Sequence, residues 1–295
     1  MRKNQNIMLV LLLLITSSVL AQQESMITFY RNHLNLVNPA FVGVEGTASI
    51  QSTIRKQWTG VKDAPETQAF SFMMPLGNKK FSIGLSFVHD KVFIETQQFV
   101  AVDLAYDVKL TEKLNLFMGL KVGGNNYQVN TSGLETYNLL LDPSLQPISR
   151  FNPNIGMGFY LKHDKYYISL STPKLLNTER AKNEDGYATA ATDRAHYYLS
   201  GGYDIEVSPT IDLLPSVMIR YVNGAPFSTD FTATTIFNEK FDLGLTYRTD
   251  NSLAGMVKFT ISKRLQLGFA YEYMMQRQLL ARANNTNEFY LKFTL

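Results

Sequence analysis

From Ala48 onward, apolar and polar side chains change places at every second residue through most of the chain. Phe81, Ile83, Leu85 and Phe87 alternate with Ser82, Gly84 and Ser86. Val100, Val102, Leu104, Tyr106 and Val108 alternate with Ala101, Asp103, Ala105, Asp107 and Lys109. A period of two sends one set to one face of a strand and the other set to the opposite face. The set holding Asp103, Asp107 and Lys109 cannot line a dry core. The pattern predicts strands near 48–57, 67–75, 80–88, 97–110, 113–123, 153–162, 166–172, 196–206, 210–221, 230–237, 241–248, 253–261, 265–274 and 287–295. That makes about fourteen, an even number.

A soluble sandwich also alternates, so the connections have to decide. Every second connection is a tight polar turn: Gly77-Asn78, Thr111-Glu112, His163-Asp164-Lys165, Ser208-Pro209, Asn238-Glu239-Lys240 and Ser262-Lys263-Arg264. The connections between them are longer, at 58–66, 89–96, 124–152, 173–195, 222–229 and 275–286, with 249–252 the exception. Short turns at one end and longer loops at the other describe an all-β, up-and-down transmembrane barrel with periplasmic turns and extracellular loops. Greek-key crossings give no reason for such regularity. Tyr106, Tyr221, Tyr247 and Tyr273 near strand ends suit aromatic girdles.

The first residues add an address. Arg2 and Lys3 precede an apolar run over 7–15 and a small-residue stretch over 16–21, the order of a secretory signal peptide cleaved after Ala21. The run is too short to span a bilayer as a helix, which takes about 20 residues. No later run reaches the roughly 18 apolar residues of a membrane helix, so any membrane span must be made of strands. The expected organisation is a signal peptide at 1–21, a periplasmic or lumenal segment at 22–47 and one outer-membrane barrel at 48–295, with both termini on the periplasmic side.

Charge and chemistry then exclude more than they suggest. The chain has 28 Lys and Arg against 25 Asp and Glu, and losing Arg2 and Lys3 leaves 26 against 25. That balance gives no footprint for nucleic acid. Absence of cysteine removes disulfides, thiol catalysis and Cys-based metal sites. The histidines at 33, 89, 163 and 196 form no spaced pair, and His89 and His163 fall at opposite ends of the expected barrel, so neither a catalytic constellation nor a metal or cofactor site is expected. Gly156-x-Gly158 and Gly123-Gly124 sit in or beside strands and read as glycines facing a crowded lumen.

The lumenal charges Arg55, Asp103, Asp107, Lys109, Lys121, Arg220, Asp242, Arg248, Lys258, Glu272 and Lys292 can form a polar channel or a salt-bridge lattice; their interspersed signs favour the lattice. Asn38-Pro39 can open a short plug or simply lead into the first strand. Trp58 can be an interface anchor or a partner contact, and the loops at 124–152 and 173–195 are long enough to dock a protein.

Three stretches carry a resemblance. Asn35-Leu36-Val37-Asn38-Pro39-Ala40-Phe41-Val42-Gly43 is followed by Arg55-Lys56-Gln57-Trp58-Thr59-Gly60 and then by Ala64-Pro65-Glu66-Thr67. Ser171-Thr172-Pro173-Lys174-Leu175-Leu176, Gly201-Gly202-Tyr203 and Tyr247-Arg248 extend it along the chain. Together they resemble the PorP/SprF family of Bacteroidota outer-membrane proteins. The resemblance implies a non-enzymatic component of type IX secretion and gliding machinery that captures, helps secrete or anchors a surface protein, such as a large adhesin, through that partner's C-terminal domain. It also implies contact with outer-membrane lipid and with periplasmic parts of the same system. Asn38, Pro39, Arg55, Trp58, Pro65 and Pro173 are the candidate partner-binding or plug residues. The alternative is a passive or fatty-acid-type transporter, since barrels of that kind share an Asn-Pro-Ala lead-in. Leu295 departs from the terminal aromatic usual in such barrels, with Phe293 two positions earlier on the same face.

Overall fold

A computed structural model describes residues 26–77, 80–132, 147–179, 192–275 and 285–295. The expected signal peptide lies outside the described residues, as do parts of three of the longer loops. The strands in chain order are β1 (Ser49–Gln57), β2 (Glu66–Leu76), β3 (Phe81–Val92), β4 (Glu95–Thr111), β5 (Leu114–Val129), β6 (Ile148–His163), β7 (Tyr166–Thr172), β8 (Thr178–Glu179), β9 (Thr192–Asp193), β10 (His196–Tyr203), β11 (Ile205–Ser208), β12 (Ile211–Val222), β13 (Ser228–Phe237), β14 (Phe241–Arg248), β15 (Ser252–Thr260), β16 (Leu265–Met274) and β17 (Asn285–Thr294).

Each strand of the wall pairs antiparallel with its neighbours, and β17 returns to β1 with Ser49 opposite Thr294 and Gln57 opposite Thr286. β10 and β11 are two parts of one stave, both paired to β12, whereas β8 and β9 pair only with each other. The wall is therefore a closed cylinder of fourteen staves. Closure leaves no open edge, so every strand's backbone finds partners without water, the condition for crossing lipid.

The alternation read in the sequence sorts side chains as lipid requires. On β4, Val100, Val102 and Leu104 are exposed while Ala101, Asp103 and Ala105 are buried. The same division covers Leu243 and Leu245 outside β14, with Asp242 and Thr246 inside. An exposed apolar band of this extent is foreign to a water-soluble monomer and expected of a surface that meets hydrocarbon. Aromatic rings mark both rims. Phe81–Tyr106 and His163–Tyr166 pair at 4.7 and 4.5 Å near the short turns, and Tyr221–Phe227 at 4.9 Å near the loops.

Two expectations need correction. β3 and β4 run on to Val92 and from Glu95, so the supposed long connection 89–96 is a tight turn with Phe93 at φ 54°. β5 and β6 likewise reach Val129 and start at Ile148, shortening the loop expected at 124–152. The residues involved on the outer face, such as Asn126 and Gln128, are polar and continue past the apolar band. Pairing continues there with water on the outer face, so no hydrophobic period is left to read.

Candidate functional site: the filled lumen

Residues before β1 run inside the cylinder rather than beside it. Met26, Phe29, Tyr30, Leu34, Ala40, Phe41, Val42 and Val44 are all buried, and two 3₁₀ turns, Leu34–Leu36 and Pro39–Gly43, shape the segment. Asn38 caps the second turn: its Oδ1 accepts from the Ala40 N–H at 2.9 Å, and Pro39 follows in the position whose missing N–H costs nothing. The same amide fixes the turn to the wall, its Nδ2 donating to the Phe159 carbonyl at 3.0 Å and to Ser169 Oγ at 2.7 Å. The fit of this turn depends on side chains that the wall lacks. A Cβ on Gly158 would overlap Asn38 Oδ1, and one on Gly119 would overlap the backbone of Pro39 and Ala40.

The rest of the plug is tied down by polar contacts. The Glu288 carboxylate on β17 accepts the N–H groups of Thr28 at 2.7 Å and Phe29 at 3.0 Å. Tyr30 bonds Ser216 on β12 at 3.0 Å, Lys162 on β6 donates to the Val44 carbonyl at 2.8 Å, and Lys121 on β5 donates to the Asn35 carbonyl at 3.3 Å. Near the short turns Lys292 pairs with Glu45 and Arg31 with Asp204, both at 2.6 Å.

His33 is wholly enclosed, with Nδ1 3.0 Å from Thr53 Oγ1 and Nε2 2.8 Å from Ser71 Oγ. Burial, helped by the Lys121 charge, lowers its pKa from 6.5 to about 3. A group depressed in this way supports the seated plug fully above its free value and progressively less as pH falls toward its bound value. Seating should therefore weaken below pH 6.5 by up to about 1.4 kcal/mol per unit. Hydrogen exchange at residues 28–44, corrected for its intrinsic pH dependence, is expected to quicken between pH 7 and pH 5. His33→Gln should flatten that dependence, and an unchanged profile in the parent protein would contradict it.

A serine oxygen 2.8 Å from an imidazole nitrogen has the spacing of a nucleophile and its base. Here it does not make an active site. Ser71 is fully buried, and the far nitrogen of His33 faces a hydroxyl rather than a carboxylate. Among the described residues no group of His, Asp or Glu is arranged to hold a metal.

The wall behind the plug carries a continuous ion ladder. Arg220 meets Asp230 at 3.1 Å, Asp230 meets Arg248 at 3.1 Å, Arg248 meets Glu272 at 2.7 Å, Glu272 meets Arg55 at 2.9 Å and Arg55 meets Glu288 at 3.5 Å. Lys121–Asp103 and Lys258–Asp242, each at 2.7 Å, add separate pairs. These charges form the lattice rather than an open polar bore. Asp107 and Lys109 are exceptions at the rim, where Asp107 accepts from Asn115 and the exposed Lys109 pairs with Glu112.

The candidate residues thus divide. Asn38 and Pro39 form the plug turn, and Arg55 reaches the plug through Glu288. Trp58 is half-buried just past the end of β1 with φ 48°, its backbone N–H donating to the Asn285 carbonyl at 2.7 Å. Pro65 accepts from the Gln57 N–H at 2.9 Å, and Pro173 is buried beyond the end of β7. These three stand at the loop end, apart from Asn38. The reading missed His33, Asp230, Glu288, Gly119 and the anchoring role of Lys121.

Residues 19–293 match the family model described as Type IX secretion system membrane protein PorP/SprF. No curated protein matches the chain. Among solved structures, the outer membrane protein Omp33 of Acinetobacter baumannii is similar with a TM-score of 0.51 at 7% identity, over 84% of this chain and 98% of that one. The CymD monoaromatic hydrocarbon channel gives a TM-score of 0.50 at 10% identity, over 88% and 91%. At such identities the likeness is one of fold.

Proposed function

The chain belongs to the PorP/SprF family of type IX secretion system membrane proteins, and from that membership we propose that it holds an exported surface protein, such as a large adhesin, at the outer membrane through the partner's C-terminal domain. The role is one of capture and anchoring, without catalysis. The observation that supports it over passive transport is the plug: the described residues from Met26 to Val44 lie inside the bore and are tied to the wall, in the path a solute would take. A fatty-acid-type transporter or porin would have to displace that segment at every passage.

Docking belongs at the loop end, where Trp58, Pro65 and Pro173 stand at separate points of the rim and connections are long enough to meet a folded domain. Periplasmic components of the same machinery would meet the opposite rim, and lipid the apolar band. The test is affinity purification from native outer membranes through a C-terminal tag. The expected eluate contains a surface protein's C-terminal domain together with type IX components, and Trp58→Ala should lower recovery of the surface protein while the barrel stays folded. An eluate holding neither would overturn the proposal.

A further inference from the structure

The plug does not fill the lumen everywhere. At the loop end, between plug and wall, lies a cavity of about 120 Å³. Protein interiors hold few voids larger than a water molecule, and an engineered apolar cavity of roughly 150 Å³ in another protein stays dry and takes up benzene. Leu36 and Val37 of the plug and Phe99 of β4 give this cavity an apolar side. Lys174 spans its boundary, with its ammonium 5.3 Å from the Phe99 ring centroid.

The other side is polar and one of its groups is incomplete. Asn125 on β5 is 5% exposed; its Nδ2 donates to Gln97 Oε1 at 3.2 Å, while its Oδ1 receives no hydrogen bond from the described residues. Buried acceptors are nearly always satisfied, because leaving one without a donor is costly. Asp90 stands on the same side as a further acceptor of hydrogen bonds.

We propose that this cavity is a binding site for a small amphiphile: an apolar body of about benzene size carrying one N–H or O–H donor. The body lies against Phe99 and Val37, and the donor reaches the Asn125 carbonyl. Asn38, Ala40, Phe41 and Val42 of the plug are packed inside the bore beneath it, so the ligand is held at the loop end rather than passed through. The inference stands apart from the secretion role and does not depend on it.

Calorimetric titration of the mature protein in detergent, with phenol and with toluene as probes, tests it. Phenol is expected to bind saturably with a dissociation constant on the order of 0.1–1 mM. Toluene, lacking the donor, should bind about fivefold more weakly. Asn125→Ala should remove phenol's advantage, and Val37→Trp, which fills the cavity, should abolish both. Partition into micelles is shared by all variants and does not saturate. Where Val37→Trp fails to fold, the phenol-to-toluene ratio in Asn125→Ala carries the test alone. Absence of saturable phenol binding, or a ratio unchanged by Asn125→Ala, would overturn the proposal.

Discussion

In a barrel carrying Gly119→Leu and Gly158→Leu, a cysteine placed at Ala40 is expected to react with a membrane-impermeant maleimide, whereas the same cysteine in the otherwise unchanged protein stays protected. The chain has no cysteine of its own, so the label reports this position alone. Ala40 is fully buried, and both glycines face the plug turn where a Cβ would overlap backbone or the Asn38 side chain. At Gly119 the obstacle is backbone, which cannot step aside as a flexible side chain does, and at Gly158 it is the Asn38 amide, held in place by its bonds to Phe159, Ser169 and Ala40. Overpacking costs about 1–3 kcal/mol per site, so two such changes should raise labelling by about thirtyfold or more. The wall has its own closed hydrogen-bond ladder and should survive. Continued protection of the cysteine would mean that these glycines do not set the seat.

Replacing Glu272 by Leu is expected to lower the stability of the barrel by about 3–5 kcal/mol, because it leaves Arg55 and Arg248 facing each other without the carboxylate that separates them. Glu272 lies 2.9 Å from one and 2.7 Å from the other, and all three side chains are at most 4% exposed, so solvent screens little of the effect. Breaking the exposed Lys109–Glu112 pair by Lys109→Ala should leave the midpoint in place, since exposed pairs contribute little. Urea unfolding of the two variants in lipid vesicles makes the comparison. Equal midpoints would show that the ladder is not a source of stability.

The wall was legible because lipid enforces a rule at every second residue. Where the rule lapses, as along Asn125–Gln128 or at the turn through Phe93, the sequence lost the strands while the backbone kept them. The plug was harder. Asn38-Pro39 announces a turn through local chemistry, but its seat is set by Ser169, 131 positions away, and Thr28 meets Glu288 across 260 positions. Contacts at such separations leave no period and no motif. His33 looked like any polar residue in a lead-in segment, since nothing nearby in sequence foretells Thr53 and Ser71 on either side of its ring. The crowding expected around Gly158 was readable; that the crowding group is Asn38 was not. The ion ladder was suggested by the interspersed signs, although Glu288, which joins it to the plug, escaped notice.

That the cylinder is stopped by its own leading segment is the claim on which capture rather than conduction depends. Single-channel recording of the unaltered protein in a planar bilayer at neutral pH measures it most directly. The closed lumen predicts a flat baseline with no unitary steps; a steady ohmic current of an open pore would contradict it.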